Sequence, residues 1–131
     1  MSVFEVGLST TFRAWHVMPG VKGPEGELHE HDYRLEVVAS RGHLDARGMV
    51  CDLDDLEQAL RDTVRIVEGK NLEIIRPPEE EAVTVEVLAR WSHNQVALML
   101  TAGEVEMLSV RVWESPVAFG GYAAPPPNTD S

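Results

Sequence analysis

The sequence predicts an α+β fold in which two helices cover one face of a small antiparallel sheet, in the order β-β-α-α-β-β. Two segments near the N-terminus alternate between apolar and polar residues, as strands with one buried face do. Two later segments repeat their apolar residues at helical spacing, and two shorter strand-like segments follow. The 131 residues, 44% hydrophobic and 25% charged, have the length and composition of one ordinary globular domain.

A long hairpin is predicted at the start of the chain. Its first strand covers residues 3–16 and its second covers residues 29–40, each with apolar side chains at alternate positions. The connection at 18–28 contains two prolines and three glycines, which the interior of a strand or helix does not tolerate. Long loops inside small domains are often functional, so we predict a functional loop here.

Helices and shorter strands follow the hairpin. Helix one is predicted over 53–67, with Asp52 as its N-cap, because its leucines and valines recur at helical spacing. The remaining predicted elements are helix two over 83–100, strand three over 105–113 and a short strand four over 118–122. We therefore expect one domain over 1–122 and a disordered, proline-rich tail over 123–131.

The charge and composition of the chain exclude several classes of partner. Twenty-two acidic residues stand against 11 basic ones, and the net charge of −11 opposes binding to phosphate backbones, so no nucleic acid is expected. We expect no membrane partner, because no long apolar run, leader segment or lipidation signal is visible. The single Cys51 agrees with the cytoplasmic location that we predict, although it would also fit a cysteine-poor secreted protein.

Three histidines are placed to converge on the predicted hairpin. His16 ends strand one, while His29 and His31 lie two residues apart on strand two and project from the same face. Catalytic zinc uses three protein ligands and an open fourth position, which this arrangement can supply. Histidines also titrate and form hydrogen bonds without any metal, so a surface or loop role stays open beside the metal site.

Glu114 continues the otherwise apolar face of strand three. An ionised carboxylate in such a position is costly unless something pairs with it. One interpretation is that the strand has ended and the side chain is solvated. The other is a carboxylate that accepts two hydrogen bonds from the flat, amide-like or amidine-like edge of a ligand.

Five segments carry a resemblance to a known family. They are Phe12-Arg-Ala-Trp-His16, Leu28-His-Glu-His-Asp-Tyr33, Gly48-Met-Val-Cys-Asp-Leu53, Thr84-Val-Glu-Val-Leu-Ala-Arg-Trp91 and Val110-Arg-Val-Trp-Glu-Ser115. In order and spacing they resemble the 6-pyruvoyltetrahydropterin synthase and 6-carboxytetrahydropterin synthase family, over nearly the whole chain up to Tyr122. The resemblance implies the tunnelling fold (T-fold), in which three subunits close a barrel and two trimers form a homohexamer with sites between subunits.

The resemblance also implies a set of site residues. It consists of three zinc ligands, a carboxylate that anchors the pterin, and two further residues that line the pterin pocket. In that order, these positions hold His16, His29 and His31, then Glu114, then Thr84 and Glu86.

The sequence departs from the family where the family's chemistry lies. The family has a cysteine four residues before the first histidine of His-x-His, and this chain has Glu25 there. The family's Leu-Asp-His stretch aligns with Val67-Glu68-Gly69, and Glu30 replaces the glycine between the two strand-two histidines, adding bulk and charge beside the predicted metal site. Some family members carry glutamate at the cysteine position and cleave the side chain of dihydroneopterin triphosphate, which makes Glu25 a candidate base.

Two functions stay open at this point. The chain is either a synthase-like protein that binds a pterin-like or purine-like ligand and has lost the standard reaction, or a pterin side-chain lyase that uses Glu25 with zinc. The standard synthase reaction is disfavoured, because general acid–base groups contribute about 10²–10⁴ in rate each and two of them are missing. Zinc is the one cofactor that the resemblance implies.

Overall fold

Four antiparallel strands form one sheet in the order β1-β2-β3-β4 in this computed structural model, which describes residues 2–100 and 105–127. In chain order the elements are β1 (Phe4–His16), β2 (His29–Arg41), α1 (Leu53–Val67), α2 (Val85–Met99), β3 (Met107–Trp113) and β4 (Phe119–Ala124). Short 3₁₀ helices at Pro24–Gly26 and Leu72–Ile75 lie in two of the connections. The predicted α+β class and order of elements are confirmed.

The hairpin of β1 and β2 positions the residues of interest. Its two 13-residue strands pair over their whole length, from Phe4 opposite Arg41 to His16 opposite His29. Alternate residues face the helices, and on that face the ring of Phe12 stacks on its cross-strand neighbour Tyr33 with centroids 5.4 Å apart. The register therefore brings the end of β1 and the start of β2 together beside the long loop.

Both helices begin at the caps that the sequence contains. The carboxylate of Asp52 accepts a hydrogen bond from the Asp54 N–H at 2.9 Å, as predicted for helix one. Helix α2 is shorter than the predicted 83–100, because the Thr84 hydroxyl caps it by accepting a hydrogen bond from the Val87 N–H at 3.1 Å. No helix among the described residues is long and apolar enough to span a membrane.

The helices bury one face of the sheet. Helix α1 packs on β1, and α2 packs on β3 and β4. The largest fully buried side chains of the resulting core are aliphatic: Leu35, Leu56, Leu60, Leu72, Leu88 and Leu108. The opposite face of the sheet is covered by neither helix within this chain, and it carries exposed charged residues.

Strand β3 pairs with only part of β2, which leaves an opening in the sheet. The pairing runs from Arg34 to Ser40, so residues 29–33 of β2 have no partner on that side. Beyond Trp113 the chain turns away, and the Glu114 N–H donates a hydrogen bond to the Ala118 carbonyl at 3.2 Å. The opening therefore lies between the first residues of β2 and the turn after β3.

Strand β4 extends further than predicted. It continues to Ala124, so residues 123 and 124 belong to the sheet and not to a disordered tail. The reason is a tertiary contact: the ring nitrogen Nε2 of the buried His93 donates a hydrogen bond to the Ala124 carbonyl at 3.1 Å. Residues 125–127 have no regular structure, and 128–131 of the predicted tail lie outside the described residues.

Candidate metal and ligand site

Three histidine rings lie together where β1 ends and β2 begins. The ring centroids of His29 and His31 are 4.7 Å apart, and that of His16 lies 5.6 Å from His29 and 6.3 Å from His31. The cross-strand pairing of His16 with His29 and the two-residue repeat of β2 produce this cluster. The structure thus brings together all three positions predicted as metal ligands.

Nitrogen atoms of this cluster are available to a metal ion. His29 Nδ1 lies 2.8 Å from the Glu27 carbonyl oxygen, which can only accept, so Nδ1 carries a proton and the neutral form of the ring has its lone pair on Nε2. The Nε2 atoms of His16 and His29 are buried and have no hydrogen-bond partner among the described residues. Buried polar atoms without a hydrogen-bond partner are rare, and these two suit the binding of an ion or a water molecule. The donor set fits a zinc-type ion.

Electrostatics keep His16 in the form that binds metals. Burial is the largest cause that lowers the pKa of its ring, and positive charge on His29 or His31 lowers that pKa further. The backbone of Val83, just before α2, acts in the opposite direction and is the weaker influence. A lowered pKa favours the neutral imidazole, which is the metal-binding state.

Glu25 adds a carboxylate to the histidine cluster. Its Oε2 atom lies 3.5 Å from Nε2 of His29 and 4.0 Å from Nε2 of His31. The potential ligand atoms of these three residues all lie within 4.8 Å of one another, and this set contains Glu25 where the prediction had His16. The loop residue that stands at the family's cysteine position is therefore within reach of the group that would hold a metal.

The local fold of the loop explains where Glu25 lies. Glu25 is in the 3₁₀ helix Pro24–Gly26, and its carbonyl accepts a hydrogen bond from the Met18 N–H at 2.9 Å. A Cβ atom at Gly26 would collide with the carbonyl oxygen of Val21, so only glycine allows this close return of the chain. The glycines and prolines that predicted a loop are thus what turn Glu25 toward β2.

Glu30 points away from the histidines. It lies on the opposite face of the sheet, where its carboxylate is 3.6 Å from the guanidinium of Arg13. Side chains alternate along β2, so residue 30 lies on one face of the sheet and residues 29 and 31 lie on the other. The Glu30 side chain therefore adds neither bulk nor charge to the predicted metal site, contrary to the expectation from the sequence.

The stretch aligned with the family's Asp-His pair lies elsewhere. Glu68 caps the end of α1, and the Gly69 N–H donates a hydrogen bond to the Arg13 carbonyl at 2.7 Å. Glu68 lines a separate cavity of about 430 Å³ with Arg13 and Asp32. Within this one chain it does not replace the missing histidine at the cluster.

A cavity of about 480 Å³ lies at the opening between β2 and β3. Its walls include Tyr33, Trp113 and Glu114. Because β3 ends at Trp113, the Glu114 side chain is exposed, as the solvated interpretation predicts, yet it also borders this cavity. The sequence therefore identified the carboxylate without identifying the cavity beside it.

Tyr33 connects the cavity to the histidine cluster, although the sequence patterns did not single it out. Its ring centroid lies 5.6 Å from that of His31. Burial raises the pKa of its hydroxyl, and the negative charges of Glu114 and Glu25 raise it further, so both carboxylates are within electrostatic reach of one ring. The sequence did contain a sign of this position: Tyr33 lies an even number of residues from His29 and His31, so all three side chains are on the same face of β2.

Thr84 and Glu86 lie at the start of α2 and not in the cavity beside Glu114. Thr84 serves as the helix cap, and α2 begins directly over β4. A Cβ atom at Gly120 would lie 3.1 Å from the Glu86 carboxylate and 2.6 Å from the Val85 side chain. Within one chain, the two predicted pocket residues therefore stand apart from the predicted anchor.

Comparisons with known proteins agree on one family. A family model described as 6-pyruvoyl tetrahydropterin synthase matches residues 5–125. A protein of Archaeoglobus fulgidus, whose name marks it as a candidate 6-carboxy-5,6,7,8-tetrahydropterin synthase, is 33% identical over 90 residues, which are 68% of this chain and 76% of that protein.

Solved structures share the fold. The 6-pyruvoyl tetrahydropterin synthase of Caenorhabditis elegans superposes with a TM-score of 0.76 at 18% identity, over 95% of this chain and 97% of that one. A Plasmodium vivax 6-pyruvoyltetrahydropterin synthase, solved as a variant in which a catalytic glutamate is replaced by alanine, gives a TM-score of 0.75 at 15% identity, over 95% and 99%. The subunit fold predicted for a T-fold protein, an antiparallel sheet with two helices, is confirmed.

Proposed function

Because the chain belongs to the 6-pyruvoyl tetrahydropterin synthase family, we propose that it is a metal-dependent lyase acting on the side chain of a pterin-like heterocycle, with Glu25 as its base. The observation that carries this proposal is the Glu25 carboxylate, 3.5 Å from His29 Nε2 at the histidine cluster. A protein that only binds its ligand has no need of a carboxylate there. The geometry therefore favours the lyase over the binding protein.

Zinc is the metal we assign to the cluster. The ring nitrogens of His16, His29 and His31 would hold it, and the orphaned Nε2 atoms of the first two support this assignment. When bound, zinc acts as a Lewis acid that polarises an oxygen of the substrate side chain.

Glu25 takes the place of the family's cysteine in this proposal. Its side chain is 58% exposed, so a substrate arriving from solvent can reach it. The ionised carboxylate would accept the proton of a side-chain hydroxyl, as general-base catalysis requires. The O–H electron pair then forms a carbonyl as the adjacent carbon–carbon bond breaks, and the released electron pair stays on the carbon attached to the ring. The Plasmodium vivax relative also has a catalytic glutamate, and we propose the same role for Glu25.

Glu114 is the proposed anchor for the heterocycle. Its carboxylate can accept two hydrogen bonds from the amino group and ring N–H of a pterin or purine. Tyr33 beside the cavity and His31 in the cluster are two residues apart on β2, which corresponds to about 6.5–7 Å along a strand. A bicyclic ring held at Glu114 can therefore extend its side chain toward the histidines.

Replacing Glu114 by glutamine tests the anchor. We expect Glu114→Gln to weaken binding about tenfold or more, because hydrogen bonds to a charged group are worth about 1.5–3 kcal/mol each. Calorimetry with neopterin, biopterin and guanine-type ligands measures this, with Glu5→Gln as the control on a distant glutamate. The proposal fails if wild type binds none of these ligands below millimolar concentration, or if Glu114→Gln binds them equally well.

The proposed assembly is a homohexamer built from two trimers. Strands β1 and β4 are the edges of the sheet, and exposed edges promote pairing with another chain. Assembly also brings in residues from a neighbour, and we propose that Thr84 and Glu86 complete the pocket of an adjacent subunit. Light scattering at micromolar concentration is expected to give the hexamer mass, and a monomer would refute a site shared between subunits.

We place the enzyme in the cytoplasm. Cys51 is a buried free thiol, and burial is the main cause that raises its pKa. An unreactive, unpaired cysteine agrees with the reducing compartment that the sequence predicted.

A further inference from the structure

Arg34 brings an unpaired positive charge to the cavity beside Glu114. The chain has a net charge of −11, yet the guanidinium of Arg34 forms no ion pair within the part of the chain that the structure describes. It lies instead over the ring of Trp113, 4.6 Å from the centroid. Asp32, which also borders the cavity, is already held by Arg13 through contacts of 2.7 and 3.2 Å.

The same cavity therefore contains opposite charges that do not neutralise each other. Glu114 and Arg34 both line it, and the two side chains are not joined by an ion pair. The indole Nε1 of Trp113, in the same wall, is a further buried donor with no partner among the described residues. A cavity lined by unused donors and by an acceptor carboxylate suits a ligand that presents both donors and an acceptor.

Stacking on an aromatic ring does not by itself explain why Arg34 lies at the cavity. Arg111 lies over Phe119 at 4.7 Å on the same face of the sheet, in the same kind of contact. Arg111 does not border the cavity beside Glu114, whereas Arg34 does. The two arginines thus share their packing and differ in their access to the ligand cavity.

We infer that Arg34 determines ligand specificity by donating hydrogen bonds to a ring carbonyl oxygen of the heterocycle. This inference rests on the proposed function. A 2-amino-4-oxo heterocycle presents its amino group, ring N–H and carbonyl oxygen in succession along one edge. Glu114 accepts from the first two groups, and the planar donor fork of Arg34, which lies over the ring of Trp113, donates to the third.

A pair of ligands that differ at this carbonyl tests the inference. Pterin has the oxygen, and 2,4-diaminopteridine has an amino group in its place. By calorimetry, we expect Arg34→Met to weaken binding of pterin about tenfold or more and to leave binding of 2,4-diaminopteridine within about twofold. Arg111→Met serves as the matched control and is expected to change neither affinity.

Any other result contradicts the inference, and each such result has its own meaning. If Arg34→Met weakens the binding of both ligands equally, or of neither, Arg34 does not recognise the carbonyl oxygen. Binding of pterin by the wild type would still support the proposed function. If Arg34→Met changes the oligomer mass in light scattering, Arg34 is an interface residue instead. Arg34→Lys, which keeps the charge without the planar fork, provides the same comparison if the methionine variant does not fold. If wild type binds neither ligand, the proposed function fails first.

Discussion

Replacing Glu25 by glutamine is expected to slow side-chain cleavage by about 10²–10⁴-fold, because the amide cannot accept the proton that the carboxylate takes. The carboxylate lies 3.5 Å from His29 Nε2, whereas the proposed anchor Glu114 lies beyond Tyr33. Affinity for the heterocycle should therefore change little. Single-turnover assays with dihydroneopterin triphosphate measure the rate, and calorimetry with neopterin measures binding.

Glu27→Gln is the matched control for this experiment. Glu27 is an exposed glutamate in the same loop, and it contacts the cluster through its carbonyl, which the substitution keeps. Equal rates for Glu25→Gln and wild type would contradict the assignment of the base. Loss of metal in Glu25→Gln would show that the carboxylate is a ligand and not the base.

Removing a histidine of the cluster is expected to abolish stable metal binding. Loss of residues that merely support a ligand typically costs about 10–100-fold in metal affinity, so loss of a ligand in His16→Ala or His29→Ala should cost more. Elemental analysis of protein purified without chelators should give about one zinc per subunit for wild type and far less for each variant, as three histidines form one site.

The exposed His43, which lies outside the cluster, provides the control substitution His43→Ala. Its zinc content should equal that of wild type. Wild-type protein that takes up no zinc even when zinc is added would contradict the metal assignment. In that case the buried Nε2 atoms of His16 and His29 would require another partner, such as ordered water.

Local patterns in the sequence were sufficient for the fold and for half of the candidate site. Alternation along β1 and β2 determines which residues share a face, so the meeting of His16 with His29 and His31 follows from the spacing of these residues along the chain. Helix α1 was predictable to the residue, since Asp52 marks its start and apolar spacing its length. The resemblance to the family supplied the roles that we propose for Glu25 and Glu114.

The tertiary structure alone decided which distant groups meet. The cavity beside Glu114 exists because β3 stops pairing at Arg34, and no local pattern in β2 or β3 indicates where a ladder ends. The approach of Glu25 to His29 depends on the close return of the loop at Gly26. Periodicity in a sequence reports the burial of each residue on its own element, whereas the distance between side chains on separate segments depends on packing of the whole chain.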